Sequence, residues 1–156
     1  MRVGWGFDAH RIGDDGPMQI GGVVVDDTRG LIGTSDADVA LHAIADAALG
    51  AAALGDLGVI FPSDDPESQG ADSAELLARV VRLIDDRGMA ISHVDVTVVA
   101  ETVRIDPHRA AIRQRVAELT HAALGSVSVK ATTTDGMGFL GRDEGVAAMA
   151  VVTLDR

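Results

Sequence analysis

The 156 residues include 24 acidic and 13 basic side chains, a formal charge of −11, with no cysteine and only 3% aromatic residues. That balance repels phosphate backbones and anionic membrane surfaces, which disfavours nucleic acid and membranes as partners, and without thiolates any metal must be held by His, Asp or Glu. One domain over residues 1–156 is expected, with an aliphatic core of Ala, Val, Leu and Ile; no apolar run approaches the roughly 18 residues of a membrane span, so the expected location is the cytoplasm.

From the N-terminus, residues 2–8 alternate Val3, Trp5 and Phe7 with Gly4 and Gly6, and residues 18–25 ("MQIGGVVV") end β-branched, so both read as strands, the second with a bulge or turn at Gly21 and Gly22. The stretch "SDADVALHAIADAALGAAALG" predicts a helix with Ser35 as N-cap, Asp38 three residues on and Gly55 near its end. A loop rich in turn formers follows, "GDLGVIFPSDDPESQGADS", longer than ordinary connections and for that reason a candidate functional segment. Then come a helix over 73–87, a strand over 91–100, a helix over 108–124, a strand over 126–133 and a last strand over 145–154. This β-β-α-α-β-α-β-β order predicts an α/β protein of the α+β two-layer sandwich kind, a mixed sheet with helices on one face. Because the last strand is apolar on both sides, the uncovered face is expected to be buried in an oligomer.

In an extended strand Asp8 and His10 point the same way, so the pair can grip one ion, although it equally suits a strand end with a capping Asp and an exposed imidazole. His42 is the candidate third ligand, with Asp38 and Asp46 four residues to either side and so spaced to hold its second nitrogen. One Asp and two His leave one position of a tetrahedral zinc open for a substrate; a buried, packed histidine is the plainer alternative. A further concentration is "KATTTDGMGFLGRDEG", where threonine hydroxyls and free backbone N–H groups can cradle phosphates and Asp135 can hold Mg²⁺, or where a plain hairpin loop lies. Acidic side chains in "GDLG" and "FPSDD" can bind sugar hydroxyls or simply be solvated.

Together and in this order, "GFDAHRIG", "SDADVALHAIADAALGAAALGDLG", "FPSDDPESQGADS", "DPH" and "KATTTDGMGFLGRDEG" closely resemble the 2-C-methyl-D-erythritol 2,4-cyclodiphosphate synthase family over essentially the whole chain. The resemblance implies a homotrimer with its sheets around the threefold axis and active sites between subunits. It also implies a reaction, the conversion of 4-diphosphocytidyl-2-C-methyl-D-erythritol 2-phosphate to the cyclic diphosphate plus CMP in non-mevalonate isoprenoid synthesis. Position by position it implies Asp8, His10 and His42 as ligands of one Zn²⁺ per site, Asp135 as the holder of Mg²⁺ or Mn²⁺ with the substrate, and Thr133 as a transition-state stabiliser. Ser35 follows as a substrate-binding residue, Asp56, Leu57 and Gly58 as the erythritol-binding turn, and Phe61, Pro62, Ser63, Asp64 and Asp65 as the loop over the substrate. The cytidine pocket would come from Ala100 to Asp106, including Ile105, with Ala131, Thr132 and Thr134, and Arg104 would lie on the diphosphate. Phe139 and Arg142 would line an axial cavity able to take an isoprenoid diphosphate.

The chain departs from the family pattern at several of these positions. Thr34 stands where a second stabilising histidine is usual; it still donates one hydrogen bond but cannot carry positive charge. Asp135 replaces Glu and Arg104 replaces Lys, while "ETV" at 101–103 and Asp143 replace an apolar-Pro segment and a glycine. Two other functions stay open on sequence alone: a zinc phosphohydrolase, and a non-enzymatic trimeric protein that binds cytidine or isoprenoid diphosphates without turnover.

Overall fold

The computed structural model describes residues 1–62 and 70–156, so Ser63, Asp64 and Asp65 of the expected substrate loop lie outside the described residues. Along the described chain run strands β1 (Arg2–Gly13), β2 (Met18–Ile20), β3 (Val23–Asp26), β4 (Gly30–Ile32), β5 (Ala90–Val99), β6 (Val127–Thr132) and β7 (Gly145–Asp155). The helices are α1 (Val39–Ala52), α2 (Leu57–Ile60), α3 (Ser73–Asp85), α4 (Arg109–Thr120) and α5 (Gly138–Gly141). Five strands form one mixed sheet in the order β4-β1-β7-β5-β6, with β5 and β6 parallel and the remaining pairs antiparallel. The helices cover one face, giving the expected two-layer α+β sandwich.

Alternation along β1 sets the position of everything functional. Gly4, Gly6, Asp8 and His10 share the helix-side face, while Val3, Trp5 and Phe7 share the other. A Cβ on Gly4 would lie 1.8 Å from the Ala47 carbonyl oxygen, and one on Gly6 would lie 2.1 Å from that of Ala43. The α1 backbone therefore rests directly on β1, as only glycine permits. Four helix residues rise about 6 Å and two strand residues about 6.6 Å, so the two elements stay in step. One further step along β1 from Gly6 is Asp8, and the residue above it is His42 in the first turn of α1. Gly6→Ala should lower stability by about 3 kcal/mol, and the melting temperature by roughly 6–12 °C, because the backbones must separate. Unchanged melting would show that the close approach is not needed.

The core between the layers is aliphatic, with Ile44, Leu77, Val80, Ile84, Val94, Val96, Val98, Val146 and Val152 fully buried. On the opposite sheet face Val3, Trp5 and Phe7 are 61%, 62% and 46% exposed, and Trp5 stacks on Phe7. Trp5 pairs across the ladder with Val151 and Phe7 with Met149, both also exposed, so the apolar patch is continuous over two strands. No described helix is long and apolar enough to cross a membrane.

Several local expectations need correction. Residues 18–25 form two short strands, β2 and β3, rather than one, and of the bulge or turn expected at Gly21 and Gly22 it is the turn that forms, with left-handed φ values of 63° and 74°. Ser35 is not the cap of α1. That place belongs to Asp38, whose carboxylate accepts from the Ala40 and Leu41 N–H groups, and the helix ends at left-handed Ala53 rather than Gly55. The long loop contains the single turn α2, capped by Asp56. The helix expected over 108–124 ends at Thr120 because His121 turns left-handed, and β4 and α5 had no periodic signal in the sequence.

Candidate active site

Asp8 lies on a strand and His42 on a helix 34 positions later, and the glycine contact brings them together. His42 Nδ1 is 2.9 Å from Asp8 Oδ2, and His10 Nε2 is 3.1 Å from the same oxygen. His10 Nδ1 lies 2.9 Å from the Ile32 carbonyl on β4, to which it donates its proton, so Nε2 is the nitrogen turned inward and, once it gives up its own proton, the one able to ligate a metal. Two ring nitrogens and a carboxylate oxygen thus converge on one point. Among the described residues these three form a group able to hold a metal, all ligand atoms lying within 4.8 Å of one another. A carboxylate oxygen and two ring nitrogens, each able to present a lone pair at one point, suit a cation, so the donor set fits a metal ion.

The electrostatics agree. Burial alone would raise the Asp8 pKa, but the His10 and His42 rings at hydrogen-bond distance outweigh it and hold the carboxyl at about 2. The same bond to Asp8 raises the pKa of His10 above its ordinary value, against the effect of burial.

Asp38 and Asp46 do not hold the second nitrogen of His42. Asp38 is fully buried and accepts from the N–H groups of Gly21, Gly22, Ala40 and Leu41, clamping the β2–β3 turn onto the start of α1. Asp46 accepts from the Leu57 N–H at 2.8 Å and so fixes the turn at residues 56–58. Ser35 and Ser73 face His42 Nε2 instead, and Ser73 in turn meets Asp36. Sequence reasoning missed Asp36 and Ser73. The only hint was that "SDAD" holds a second carboxylate, which helix spacing assigns no task.

The triad opens into a cleft of about 220 Å³, lined also by Thr34, Ser35, Leu57, Gly58 and Phe61. The Asp56 side chain caps α2 beside it, accepting from the Val59 N–H. Arg79 lies 4.6 Å from the centre of the Phe61 ring and holds it, and Pro62 follows as the last described residue before Gly70. Phe139 and His10 both line an adjoining cavity of about 280 Å³, while the exposed Arg142 pairs with Glu144 at 2.6 Å.

A second cleft, of about 260 Å³, lies at the C-terminal ends of parallel strands β5 and β6. Ala100, Arg104, Ile105 and Asp106 line it from one side and Ala131, Thr132 and Thr133 from the other. Beyond the cleft, Thr134 donates to the Met137 carbonyl, and Asp135 sits left-handed with its N–H bonded to the Thr133 hydroxyl. Asp135 is not part of the triad's group; β1 and β6 are three strand spacings apart, about 14 Å. Two departures from the family pattern meet here. The Thr102 hydroxyl lies 2.8 Å from both Asp143 carboxylate oxygens, and Arg29 Nη1 donates to the same carboxylate at 3.0 Å, tying the loop beside the second cleft to the turn after α5.

Comparison with known proteins gives a consistent result. The YgbB family matches residues 1–155. The chain is 51% identical to 2-C-methyl-D-erythritol 2,4-cyclodiphosphate synthase of Escherichia coli over 154 residues, covering 99% of this chain and 97% of that one. It is 47% identical to the synthase of Pseudoalteromonas atlantica over 156 residues, covering 100% of this chain and 96% of the relative. A solved 2C-methyl-D-erythritol-2,4-cyclodiphosphate synthase in its CDP-bound form superposes with a TM-score of 0.90 at 31% identity, covering 99% of this chain and 100% of that one.

Proposed function

Since the chain belongs to the YgbB family, we propose that it is a cyclodiphosphate synthase acting in non-mevalonate isoprenoid synthesis. It converts 4-diphosphocytidyl-2-C-methyl-D-erythritol 2-phosphate to 2-C-methyl-D-erythritol 2,4-cyclodiphosphate and CMP, as a single domain. The observation that carries this reading is the convergence of Asp8, His10 and His42 on one point at the mouth of a hydroxyl-lined cleft. In the reaction an oxygen of the 2-phosphate attacks the β-phosphorus, the new P–O bond closes the ring, and the bond to the α-phosphate breaks, releasing CMP. No water is consumed.

A zinc ion at Asp8, His10 and His42 and a Mg²⁺ or Mn²⁺ at Asp135 would neutralise charge on phosphate groups that otherwise repel each other. The chain's own groups do the positioning. Thr34 and Ser35 donate hydroxyl hydrogens to phosphate oxygens in the first cleft, and Thr133 donates from the second. The turn at Asp56, Leu57 and Gly58 receives the erythritol hydroxyls. Ala100 to Asp106, with Ala131, Thr132 and Thr134, receive the cytidine, and Arg104 pairs with the diphosphate. Phosphoryl transfer needs little from a protein beyond such positioning and charge stabilisation.

Thr133 and the triad must touch one substrate, yet in one chain β1 and the end of β6 are three strand spacings, about 14 Å, apart. A homotrimer packed through the exposed Trp5 face joins the second cleft of one copy to the triad of the next. Phe139 and Arg142 then lie toward the axis, where an isoprenoid diphosphate can bind.

The test is CMP release from the purified chain with substrate, zinc and Mg²⁺, before and after stripping with a chelator. Release that stops on stripping and returns with metal supports the reading, whereas unchanged release opposes it. Thr34→His adds a chargeable donor in the cleft and should raise kcat about tenfold or more; an unchanged kcat would show that Thr34 already does this work.

Acid should weaken metal binding. In the metal-free protein the Asp8 contribution to stability is complete above its unfolded value and is lost as pH falls toward about 2. The His10 contribution is complete below 6.5 and is lost as pH rises through its raised pKa. A metal must displace that His10 proton, so zinc affinity should fall about tenfold per pH unit below the raised value. A zinc titration repeated from about pH 5 to pH 8 checks this, a flat profile counting against it.

A further inference from the structure

The ligand His42 has two nitrogens, and a neutral imidazole offers a lone pair on only one of them. Nδ1 faces Asp8 and His10, so the ring can serve there only if its proton is held on Nε2. The carboxylates at i−4 and i+4 are engaged elsewhere, on Gly21 and Gly22 and on Leu57.

Nε2 lies 2.9 Å from Ser73 Oγ and 3.2 Å from Ser35 Oγ. Ser73 opens α3, is 1% exposed and does not line the cleft, so it cannot act on substrate directly. Its hydroxyl rests on Asp36 Oδ1, and its backbone N–H donates to Asp36 Oδ2 at 3.1 Å. Two backbone bonds lace the same segments together: Gly70 N–H to the Thr34 carbonyl at 2.7 Å and Asp36 N–H to the Ala71 carbonyl at 3.3 Å. The approaches to α1 and α3 thus form one seam over the metal-ligating ring.

Polarity along this chain of groups is fixed. An ionised carboxylate only accepts, so the Ser73 hydroxyl must donate to Asp36. What Ser73 has left for His42 is a lone pair, and the hydrogen between them must come from Nε2. We propose that Asp36 and Ser73 are positioning residues that hold His42 in the Nε2–H form, aiming the Nδ1 lone pair at the metal point. This rests on reading Asp8, His10 and His42 as the zinc site. Ser35, farther from the ring and already accepting the Ala37 N–H at 3.1 Å, is left free to turn its hydroxyl hydrogen into the cleft.

The test compares zinc affinity of purified wild type, Ser73→Ala and Ser73→Thr by competition with a chromogenic chelator, alongside the melting of each metal-free protein. Ser73→Ala keeps its backbone bond to Asp36, so its melting should stay near wild type while zinc affinity falls about 10- to 100-fold. Ser73→Thr, which keeps the hydroxyl, should stay within about threefold of wild type. Equal affinity in wild type and Ser73→Ala overturns the proposal; a wild type that binds no zinc overturns the metal reading beneath it. Nitrogen-15 spectra of His42 in the wild-type zinc complex report independently of any variant. An Nε2-protonated ring is expected, and an Nδ1-protonated ring overturns the assignment.

Discussion

His42→Ala should reduce CMP release by about a thousandfold or more, equivalent to roughly 4 kcal/mol of lost transition-state stabilisation. The imidazole is one of three groups converging on a single point, and Asp8 and His10 alone leave a two-ligand site that zinc holds poorly. The protein should still fold, because the removed ring borders the cleft and the core beneath it is formed by Ala43, Ile44 and Ala47. Full-length protein with native melting, bound zinc below a tenth of the wild-type level and negligible CMP release is the expected set of results. A variant retaining more than about a tenth of wild-type turnover would remove the triad from the chemistry.

The second large effect belongs to a residue far from any phosphate. Trp5→Asp places a charge in the middle of the apolar face made by Val3, Phe7, Met149 and Val151. An aromatic anchor at the centre of an interface commonly carries 2 kcal/mol or more, and a buried unpaired carboxylate costs several further. Sedimentation should show trimers in the wild type and monomers in the variant, with CMP release down by about a hundredfold or more because the two clefts part company. The substitution lies on the sheet face opposite the helices, so zinc binding to the separated monomers should persist. Trimers that survive Trp5→Asp, or monomers that turn over normally, would contradict assembly through this face.

The pattern of strands and helices carried most of the fold because each main element keeps one face buried. Val94, Val96 and Val98 alternate into the core as their spacing requires, and the alanine-rich segment after Asp38 packs on the sheet as a helix. What failed was local assignment of polar groups. Helix spacing offered Asp38 and Asp46 as partners for His42, but backbone N–H groups of other elements claimed both carboxylates. Such competition is set by tertiary contacts that no window of sequence contains.

The site shows the same division. Asp8 and His10 are adjacent by strand alternation and could be paired from sequence, and His42 joins them through Gly4 and Gly6, whose small size was visible but whose contact with α1 was not. Ser73 reaches His42 from 31 positions away, and its place at the head of a helix looked like an ordinary helix start. Thr102 and Asp143, 41 positions apart, each looked like an isolated departure from the family pattern; they are hydrogen-bonded to each other.

The most direct test of the central claim is phosphorus-31 spectroscopy of the products formed by the unmodified chain with zinc, Mg²⁺ and 4-diphosphocytidyl-2-C-methyl-D-erythritol 2-phosphate. Equal amounts of CMP and a cyclic diphosphate, with its two coupled phosphorus signals, are the predicted result. CMP accompanied by a linear bisphosphate would identify attack by water and a phosphohydrolase. Unconsumed substrate would identify a binding protein, and either outcome would contradict the account.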